Sequence, residues 1–93
     1  MPYRIVFMPG VRKQVEPLSQ RLKERLRQRI SALASDPHGP GTKPLTAQLR
    51  GLHRLRVGDM RVVYQIEEEE SIVRIVRIAN RRDAYEQLER MTR

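Results

Sequence analysis

The spacing of apolar residues in the first third of the chain predicts one strand followed by two helices. Residues 3–8 (YRIVFM) form a short run of β-favouring side chains, and a Pro-Gly pair closes it as a turn. Further on, apolar positions recur every three or four residues, which places them on one stripe of a helix. The members of this stripe are Val11, Val15, Leu18, Leu22, Leu26, Ile30 and Leu33. Because Pro17 interrupts the stripe and proline is tolerated only in a first helical turn, we predict a short helix ending near Val15 and a longer one ending near Ala34.

The remainder of the chain is predicted to be a loop followed by a β-meander. Residues 36–51 carry three Pro and three Gly and are expected to form a surface loop. Strands are predicted at residues 53–57, 60–66 and 71–78, with the acidic tract 67–70 in the second turn and a helix over residues 82–91. The expected fold class is α+β: an N-terminal strand, a helical hairpin, a three-stranded antiparallel meander and a short C-terminal helix. A chain of 93 residues has room for one core, so residues 1–93 are expected to form a single domain.

The pair Gly58-Asp59 determines how the side chains of the predicted hairpin sort between the two faces of the sheet. A two-residue turn pairs Val57 with Met60, Arg56 with Arg61, Leu55 with Val62, and Arg54 with Val63. Since side chains alternate along a strand, Arg54, Arg56 and Arg61 share one face, while His53 lies on the opposite, apolar face. Like charges directly opposite destabilise a ladder by about 0.2–1 kcal/mol, so this arrangement favours a cradle for a bound anion. The alternative is an ordinary solvated face of a basic protein.

The charge of the chain narrows the classes of partner. Lys and Arg number 19 against 11 Asp and Glu, which gives a formal charge of +8. Such a protein repels itself unless a polyanion or an acidic partner binds, so nucleic acid is the first candidate. Arginine also forms bidentate contacts with phosphate oxygens. The run NRRDAY adds Arg81, Arg82 and Tyr85 near a strand end, where a tyrosine ring can stack on an unpaired base.

The composition also argues against several kinds of site. The chain has no Cys and two His, and no carboxylate pair falls among these arginines, so a disulfide framework, a zinc site and a His-Glu ribonuclease are not supported. We therefore expect no metal and no cofactor. No apolar run approaches the roughly 20 residues that cross a bilayer, and the first residues lack the pattern of a signal peptide. A cytoplasmic location without membrane contact is expected.

Two motifs resemble the RelE/ParE superfamily of toxins. Residues 44–64 (PLTAQLRGLHRLRVGDMRVVY) are similar to the RelE-type stretch of leucine, glycine and then YRLRVGDYRVIY, and residues 78–85 (IANRRDAY) to the RelE-type ending VGHRRDVY. The resemblance covers essentially the whole chain. It implies a fold of leading strand, helical hairpin and meander, and an endoribonuclease that cuts messenger RNA in the ribosomal decoding site. It also implies a cognate antitoxin that binds the toxin in a heteromeric complex. The chain departs from the pattern at His53, Met60 and Asn80, where tyrosine, tyrosine and histidine are common.

Carried over by position, the resemblance implies catalytic roles for Arg54, Arg56, Arg61, Arg81 and Tyr85. Attack by the RNA's own 2′-hydroxyl needs positioning, stabilisation of the phosphorane charge and proton transfers, and it needs no metal. Arg61 is assigned to the developing charge and Arg81 to the leaving oxygen. Arg54 and Arg56 are expected to hold the flanking phosphate. Tyr85 is expected either to stack on the base or to act as the general base.

Further RNA contacts are expected from Lys43, Arg50, His53 and Arg82. For His53 a second interpretation stands beside this one. Its unperturbed pKa of about 6.5 suits acid–base chemistry, but the predicted register makes it a packed, hydrogen-bonded residue of the apolar face.

Two other functions remain open on the sequence. Members of the ParE branch inhibit DNA gyrase by binding it, without turnover. A basic, non-catalytic module that binds RNA or the ribosome is the third possibility, and the arginines of the long helix at positions 21, 25, 27 and 29 would suit it. The same four arginines are equally expected on an ordinary solvated helix face, which is the default interpretation for them.

Overall fold

The chain folds into a five-stranded sheet with two helices packed on one face. A computed structural model describes residues 2–85. In chain order the elements are β1 (Arg4–Phe7), α1 (Val11–Val15), α2 (Gln20–Ala32), β2 (Thr42–Pro44), a 3-10 turn (Ala47–Leu49), β3 (Leu52–Val57), β4 (Met60–Glu67) and β5 (Ile72–Asn80). The strand order is β1-β5-β4-β3-β2, with β1 parallel to β5 and every other pair antiparallel. The predicted α+β class and the meander β3-β4-β5 are confirmed.

The helical hairpin forms because the apolar stripe of its sequence is broken at the predicted place. α1 ends at Val15, and α2 starts after Ser19, whose Oγ accepts a hydrogen bond from the backbone N–H of Leu22 at 3.2 Å. A serine in this position satisfies one of the free N–H groups at a helix start. α2 ends at Ala32, two residues earlier than predicted, and buries Leu26 and Ile30. We call the face of the sheet beneath these helices the inner face.

The core lies between the helices and the inner face, and the predicted hairpin register is confirmed. Val57 pairs with Met60 and Arg56 with Arg61 across the turn, where Gly58 has φ 60°. A positive φ at the first turn residue suits glycine and matches the right-handed twist of the two strands. The inner face contributes the fully buried side chains Leu55, Val57, Val62, Tyr64, Val73 and Ile75.

The expectation that residues 36–51 form only a surface loop is wrong in part. This segment contains β2, which pairs antiparallel with β3 along the edge that faces away from β4, and a 3-10 turn ending at Leu49. Three-residue strands carry almost no alternation, and Pro44 argues against a strand by composition. Proline lacks an N–H group, but on an edge strand no ladder hydrogen bond is lost on the open side.

The predicted C-terminal helix over residues 82–91 lies largely outside the described residues. Residues 81–85 form consecutive turns instead of helix. The backbone N–H of Ala84 donates to the carbonyl oxygen of Asn80 at 3.0 Å, and Ala84 is fully buried. This segment therefore folds back on the end of β5.

Candidate nucleic-acid interface

The face of the sheet opposite the helices carries a cluster of cations. Residues paired across neighbouring strands share a face, so two rows of cross-strand pairs define the cluster. The first row runs across four strands, from Lys43 through Arg54 and Val63 to Arg77. The second row contains the pair Arg56 and Arg61. We call this surface the arginine face, consisting of Lys43, Arg54, Arg56, Arg61 and Arg77. It contains four of the residues predicted from the sequence to bind or cut RNA.

Arg61 is the most buried residue of the arginine face. Only 8% of this residue is exposed, and its Nη1 donates to the carbonyl oxygens of Gly58 at 2.9 Å and Met60 at 3.0 Å. These bonds hold the guanidinium against the hairpin turn. The alternation of the strand predicted its face, but not its burial, because burial depends on what surrounds the strand end.

Arg54 and Arg56 are more exposed than Arg61 and are positioned by the loop before β2. The Nη1 of Arg54 donates to the carbonyl oxygen of Gly41 at 2.8 Å, and the same oxygen accepts the backbone N–H of Arg56 at 2.9 Å. The loop before β2 thus positions both residues. The Arg56 side chain is exposed, and no carboxylate within residues 2–85 pairs with Arg54, Arg56 or Arg61.

The segment after β5 is brought to the same hairpin turn. The backbone N–H of Arg81 donates to the carbonyl oxygen of Asp59 at 2.8 Å. The side chain of Asn80 caps the following turn, since its Oδ1 accepts the backbone N–H of Asp83 at 3.0 Å. Arg81 and Arg82 are exposed and line a shallow pocket with Asp59 and Asn80, while Tyr85 is half-buried. Of the predicted C-terminal site residues, Arg81 and Arg82 therefore lie beside the β3-β4 turn.

His53 is not brought to the arginine face. It lies on the inner face, stacked on Tyr64 with ring centroids 5.6 Å apart, and meets His38 edge-on at 5.4 Å. Burial, and secondarily the nearby His38, lower the pKa of His53 below its ordinary value. Its Nδ1 is buried with no hydrogen-bond partner among the described residues, so the packed interpretation applies without the expected hydrogen bond. Burial likewise raises the pKa of Tyr64, whose hydroxyl donates to the carbonyl oxygen of Pro37, to about 12.

Arg50 is exposed at the end of the 3-10 turn and follows Leu49, which is buried. It precedes β3 and so lies at the end of that strand away from the Gly58-Asp59 turn. The structure does not bring Arg50 to the hairpin turn where the other predicted arginines meet.

Arg77 is a member of the arginine face that the sequence pattern did not single out. Arg74 and Arg77 are three residues apart in β5, so strict alternation places them on opposite faces. A register shift between Val63 and Tyr64 leaves Val76 as an extra residue in β5, and both arginines then face away from the helices. Arg77 also donates to the carbonyl oxygen of Asp83 at 3.3 Å, which links the arginine face to the 81–85 turns. Two arginines three apart between apolar residues are a signal from which this bulge could be predicted.

Metal ligation and membrane insertion are not suggested by the described part of the chain. Within residues 2–85 there is no group of three His, Cys, Asp or Glu side chains close enough to hold a metal ion. No helix of that part is both long and apolar enough to span a bilayer. The guanidinium groups of the arginine face can bind anions and stabilise developing negative charge.

Comparison with known proteins identifies the family. The family model described as ParE toxin of type II toxin-antitoxin system, parDE, matches residues 5–85. The toxin RelE of Mycobacterium tuberculosis is 33% identical over 85 residues, which cover 90% of this chain and 87% of that toxin. The chain belongs to the RelE/ParE toxin family. The recognition made from the two sequence motifs is confirmed.

Solved structures of RelE proteins share the fold of this RelE/ParE toxin. The toxin–antitoxin complex RelBE2 of Mycobacterium tuberculosis aligns with a TM-score of 0.78 and 28% identity, covering 87% of this chain and 100% of the matched chain. The archaeal RelE-RelB complex of Pyrococcus horikoshii aligns with a TM-score of 0.77 and 24% identity, covering 90% and 100%. At such identities the backbone is retained while side chains are replaced, so the arginine face has to be judged on its own residues.

An apolar groove of the RelE/ParE toxin lies on the opposite side from the arginine face. It runs between α1, α2 and the C-terminal end of β1. Its apolar lining consists of Phe7, Val11, Val15, Leu26, Ile30 and Ile78. Phe7 is 42% exposed there. Arg12, Lys23 and Arg27 complete its lining.

Proposed function

We propose that this toxin is a metal-independent endoribonuclease that cuts messenger RNA in the ribosomal A site and so inhibits translation. The observation that supports it best is the meeting of three segments at one hairpin turn. β3 brings Arg54 and Arg56, β4 brings Arg61 directly opposite Arg56, and a backbone hydrogen bond ties Arg81 to the turn. Like-charged side chains placed this closely favour an anionic ligand, and the RNA backbone supplies one.

The proposed reaction uses the substrate's own nucleophile. The 2′-oxygen attacks the adjacent phosphorus as its proton is removed, the bond from phosphorus to the 5′-oxygen breaks, and that oxygen takes up a proton. The products are a 2′,3′-cyclic phosphate and a 5′-hydroxyl. Most of the acceleration then comes from positioning and from stabilising the pentavalent, doubly charged phosphorane.

The roles follow from how each side chain is held. Arg61 is the most fixed donor of the cluster and suits the phosphorane charge, because a preorganised donor needs no rearrangement as the charge develops. Arg81 assists the leaving oxygen, and Arg54 with Arg56 holds the flanking phosphate. Tyr85 stacks on the base or acts as general base.

The outer residues of the proposed site serve the RNA backbone. Lys43 and Arg82 extend the site on either side, and Arg77 is added to it from the structure. Arg50 and His53 lie apart from the hairpin turn. The ring of His53 is packed on Tyr64, so His53 has no role in the proposed cleavage reaction.

The partner of the free toxin is proposed to be a cognate antitoxin. Solved relatives are described as RelE-RelB and RelBE2 toxin–antitoxin complexes. A chain of net charge +8 is complementary to an acidic antitoxin segment, which would reduce the self-repulsion of the toxin.

The test is cleavage of message on a paused ribosome. Purified toxin is added to a cell-free translation reaction with ribosomes paused at a defined codon, and RNA ends are mapped with and without ribosomes. Cuts are expected at the codon in the paused A site for the wild type and for Arg4→Ala, which removes an exposed arginine of β1. Arg56→Ala is expected to cut far less. Intact message with the wild-type toxin would refute the proposal.

Inhibition of DNA gyrase is the second candidate, because the matching family model carries the ParE description. In that case the message stays intact in the translation reaction. Purified toxin would then abolish supercoiling in a gyrase assay, and the arginine face would serve as a binding surface only.

A further inference from the structure

Two arginines of α2 lie against neighbouring loops, Arg25 against the β3-β4 turn and Arg29 against the loop before β2. The Nη1 of Arg25 lies 3.5 Å from the point where a Cβ on Gly58 would stand. The Nη2 of Arg29 lies only 2.6 Å from the corresponding point at Gly41, and it donates to the carbonyl oxygen of Pro40 at 3.1 Å. A Cβ at Gly41 would displace the Arg29 guanidinium from its present position, whereas the distance at Gly58 is an ordinary van der Waals contact.

These arginines meet Arg56 in one open groove. Its lining consists of Arg25, Arg29, Pro40, Gly41, Arg56, Gly58 and Asp59. Arg56 also belongs to the arginine face, so the groove continues that face around the edge of the sheet and onto α2. We call it the α2 groove.

The charges of the α2 groove are unbalanced. Three guanidinium groups share it with one carboxylate, that of Asp59. Within residues 2–85 none of the three arginines forms an ion pair, whereas Arg27 on the same helix is paired with Glu24. A solvated helix face would distribute its arginines to acidic neighbours, as Arg27 does, so the α2 groove is suited to an external anion.

The lining favours a nucleic-acid backbone over a protein segment. Among residues 2–85, Pro40 is the only apolar side chain that lines it, so an amphipathic helix would find little on which to bury its apolar face. Planar guanidinium groups and exposed glycine backbone suit the close approach of a phosphate.

We propose that the α2 groove is a second phosphate-binding site, occupied by the same RNA strand that crosses the arginine face. Resting on the proposed ribonuclease function, it takes a backbone phosphate a few nucleotides from the scissile one, with Arg56 contacting both segments. The groove thereby sets the length of single strand that the toxin holds.

The experiment compares two double variants that remove the same charge from the same helix. Arg25→Gln/Arg29→Gln empties the α2 groove, and Arg21→Gln/Arg27→Gln is the matched control outside it. Binding is measured by fluorescence anisotropy with fully 2′-O-methylated RNA of about 4 and about 12 nucleotides, lengths that span the usual range of single-strand sites. For the wild type, the longer RNA should bind about tenfold more tightly or better.

The groove variant should lose this length-dependent gain and keep the affinity for the short RNA. Its salt dependence for the long RNA should weaken by about 0.7 in slope, because the groove is proposed to hold one phosphate and each phosphate contact with a single strand contributes about 0.7. The control variant should retain the gain. Arg25→Gln alone serves if the double variant unfolds, since the side chain of Arg25 makes no hydrogen bond to another described residue, unlike that of Arg29.

Three results would overturn the inference. Equal losses in both double variants would mean that only the overall field matters. An unchanged gain in the groove variant would mean that RNA passes elsewhere, and competition for the groove by an acidic peptide but not by RNA would assign it to a protein. In each case wild-type cleavage on the paused ribosome would leave the proposed function standing. A wild type that neither binds these RNAs nor cuts message would remove both.

Discussion

At the scale of single residues, the two arginines that face each other across the hairpin differ in what their side chains do for the fold. Arg56 is exposed and makes no side-chain hydrogen bond within the described residues. Arg61 is 8% exposed and is bonded to two carbonyl oxygens of the turn. Both are proposed to contact RNA phosphates, so substitution separates the catalytic contribution from the structural one.

Alanine at these positions should therefore lower activity in both cases and affect stability differently. Arg56→Ala should lower cleavage by about 10²-fold, because the flanking phosphate loses a contact that positions it, and change the free energy of unfolding by less than about 0.5 kcal/mol. Arg61→Ala should lower cleavage by about 10²–10³-fold, as loss of a donor to the developing charge does. It should also lower the free energy of unfolding by about 1–3 kcal/mol, because one buried and one partly buried carbonyl oxygen lose a charged donor. Urea denaturation and message cleavage measure the two effects. Unchanged cutting by either variant would remove that residue from the proposed site.

His53 should make stability depend on pH on the acid side of neutrality. Burial and the neighbouring His38 lower its pKa in the folded state, so the unfolded chain binds more protons near the ordinary value of about 6.5. The stabilising contribution is therefore present above pH ~6.5 and is lost as the pH falls towards the folded pKa. Thermal unfolding between about pH 7.5 and pH 5.5 should show a larger drop in Tm for the wild type than for His53→Phe, which keeps a ring on Tyr64 but cannot titrate. Parallel curves would contradict this origin.

At the scale of elements, local patterns predicted the structure where neighbours in sequence decide it. The turn Gly58-Asp59 determined the register of β3 and β4, and alternation then placed Arg54, Arg56 and Arg61 on one face. β2 was not predicted, because its three residues are strand only through their pairing with β3. The position of Arg77 was not predicted either, because a bulge in β5 shifts the register.

Contacts between distant segments account for what the sequence did not reveal about the site. The burial of Arg61 follows from its packing at the strand end, and the docking of Arg81 follows from a bond to Asp59, twenty-two residues earlier in the chain. The approach of α2 to the hairpin turn likewise depends on tertiary packing. No periodicity within one element carries that information.

Beyond its bulge, β5 is bonded to α1 by a hydrogen bond whose contribution to stability can be tested. β1 pairs with β5 only as far as Ile75, and beyond it the Oε1 of Gln14 accepts the backbone N–H of Ile78 at 2.7 Å. Gln14→Ala should lower the free energy of unfolding by about 0.5–1.5 kcal/mol. Hydrogen exchange should accelerate at the Ile78 amide and not at the Ile75 amide. Unchanged protection of Ile78 would show that α1 does not secure this strand.

At the scale of the whole molecule, cations outnumber the acids available to pair with them. The formal charge is +8, and the ion pairs within residues 2–85 are Arg27 with Glu24 and Arg74 with Glu67. The arginine face and the α2 groove adjoin each other at Arg56, so much of the excess is concentrated around one hairpin turn. A field of this kind attracts a polyanion and at the same time strains the isolated toxin.

The same charge should make stability and RNA binding respond to salt in opposite directions. Screening of the repulsion among the cations should raise the Tm of the free toxin as NaCl increases from about 50 to about 200 mM. Over this range, four phosphate contacts would weaken single-stranded RNA binding about 50-fold, since each contributes about 0.7 to the slope of log K against log salt. The variant Arg21→Gln/Arg27→Gln, with less charge to screen, should show a flatter rise in Tm. A Tm that falls with salt would instead mean that ion pairs outweigh repulsion, and the concentration of arginines at the hairpin turn would then need no bound anion to be stable.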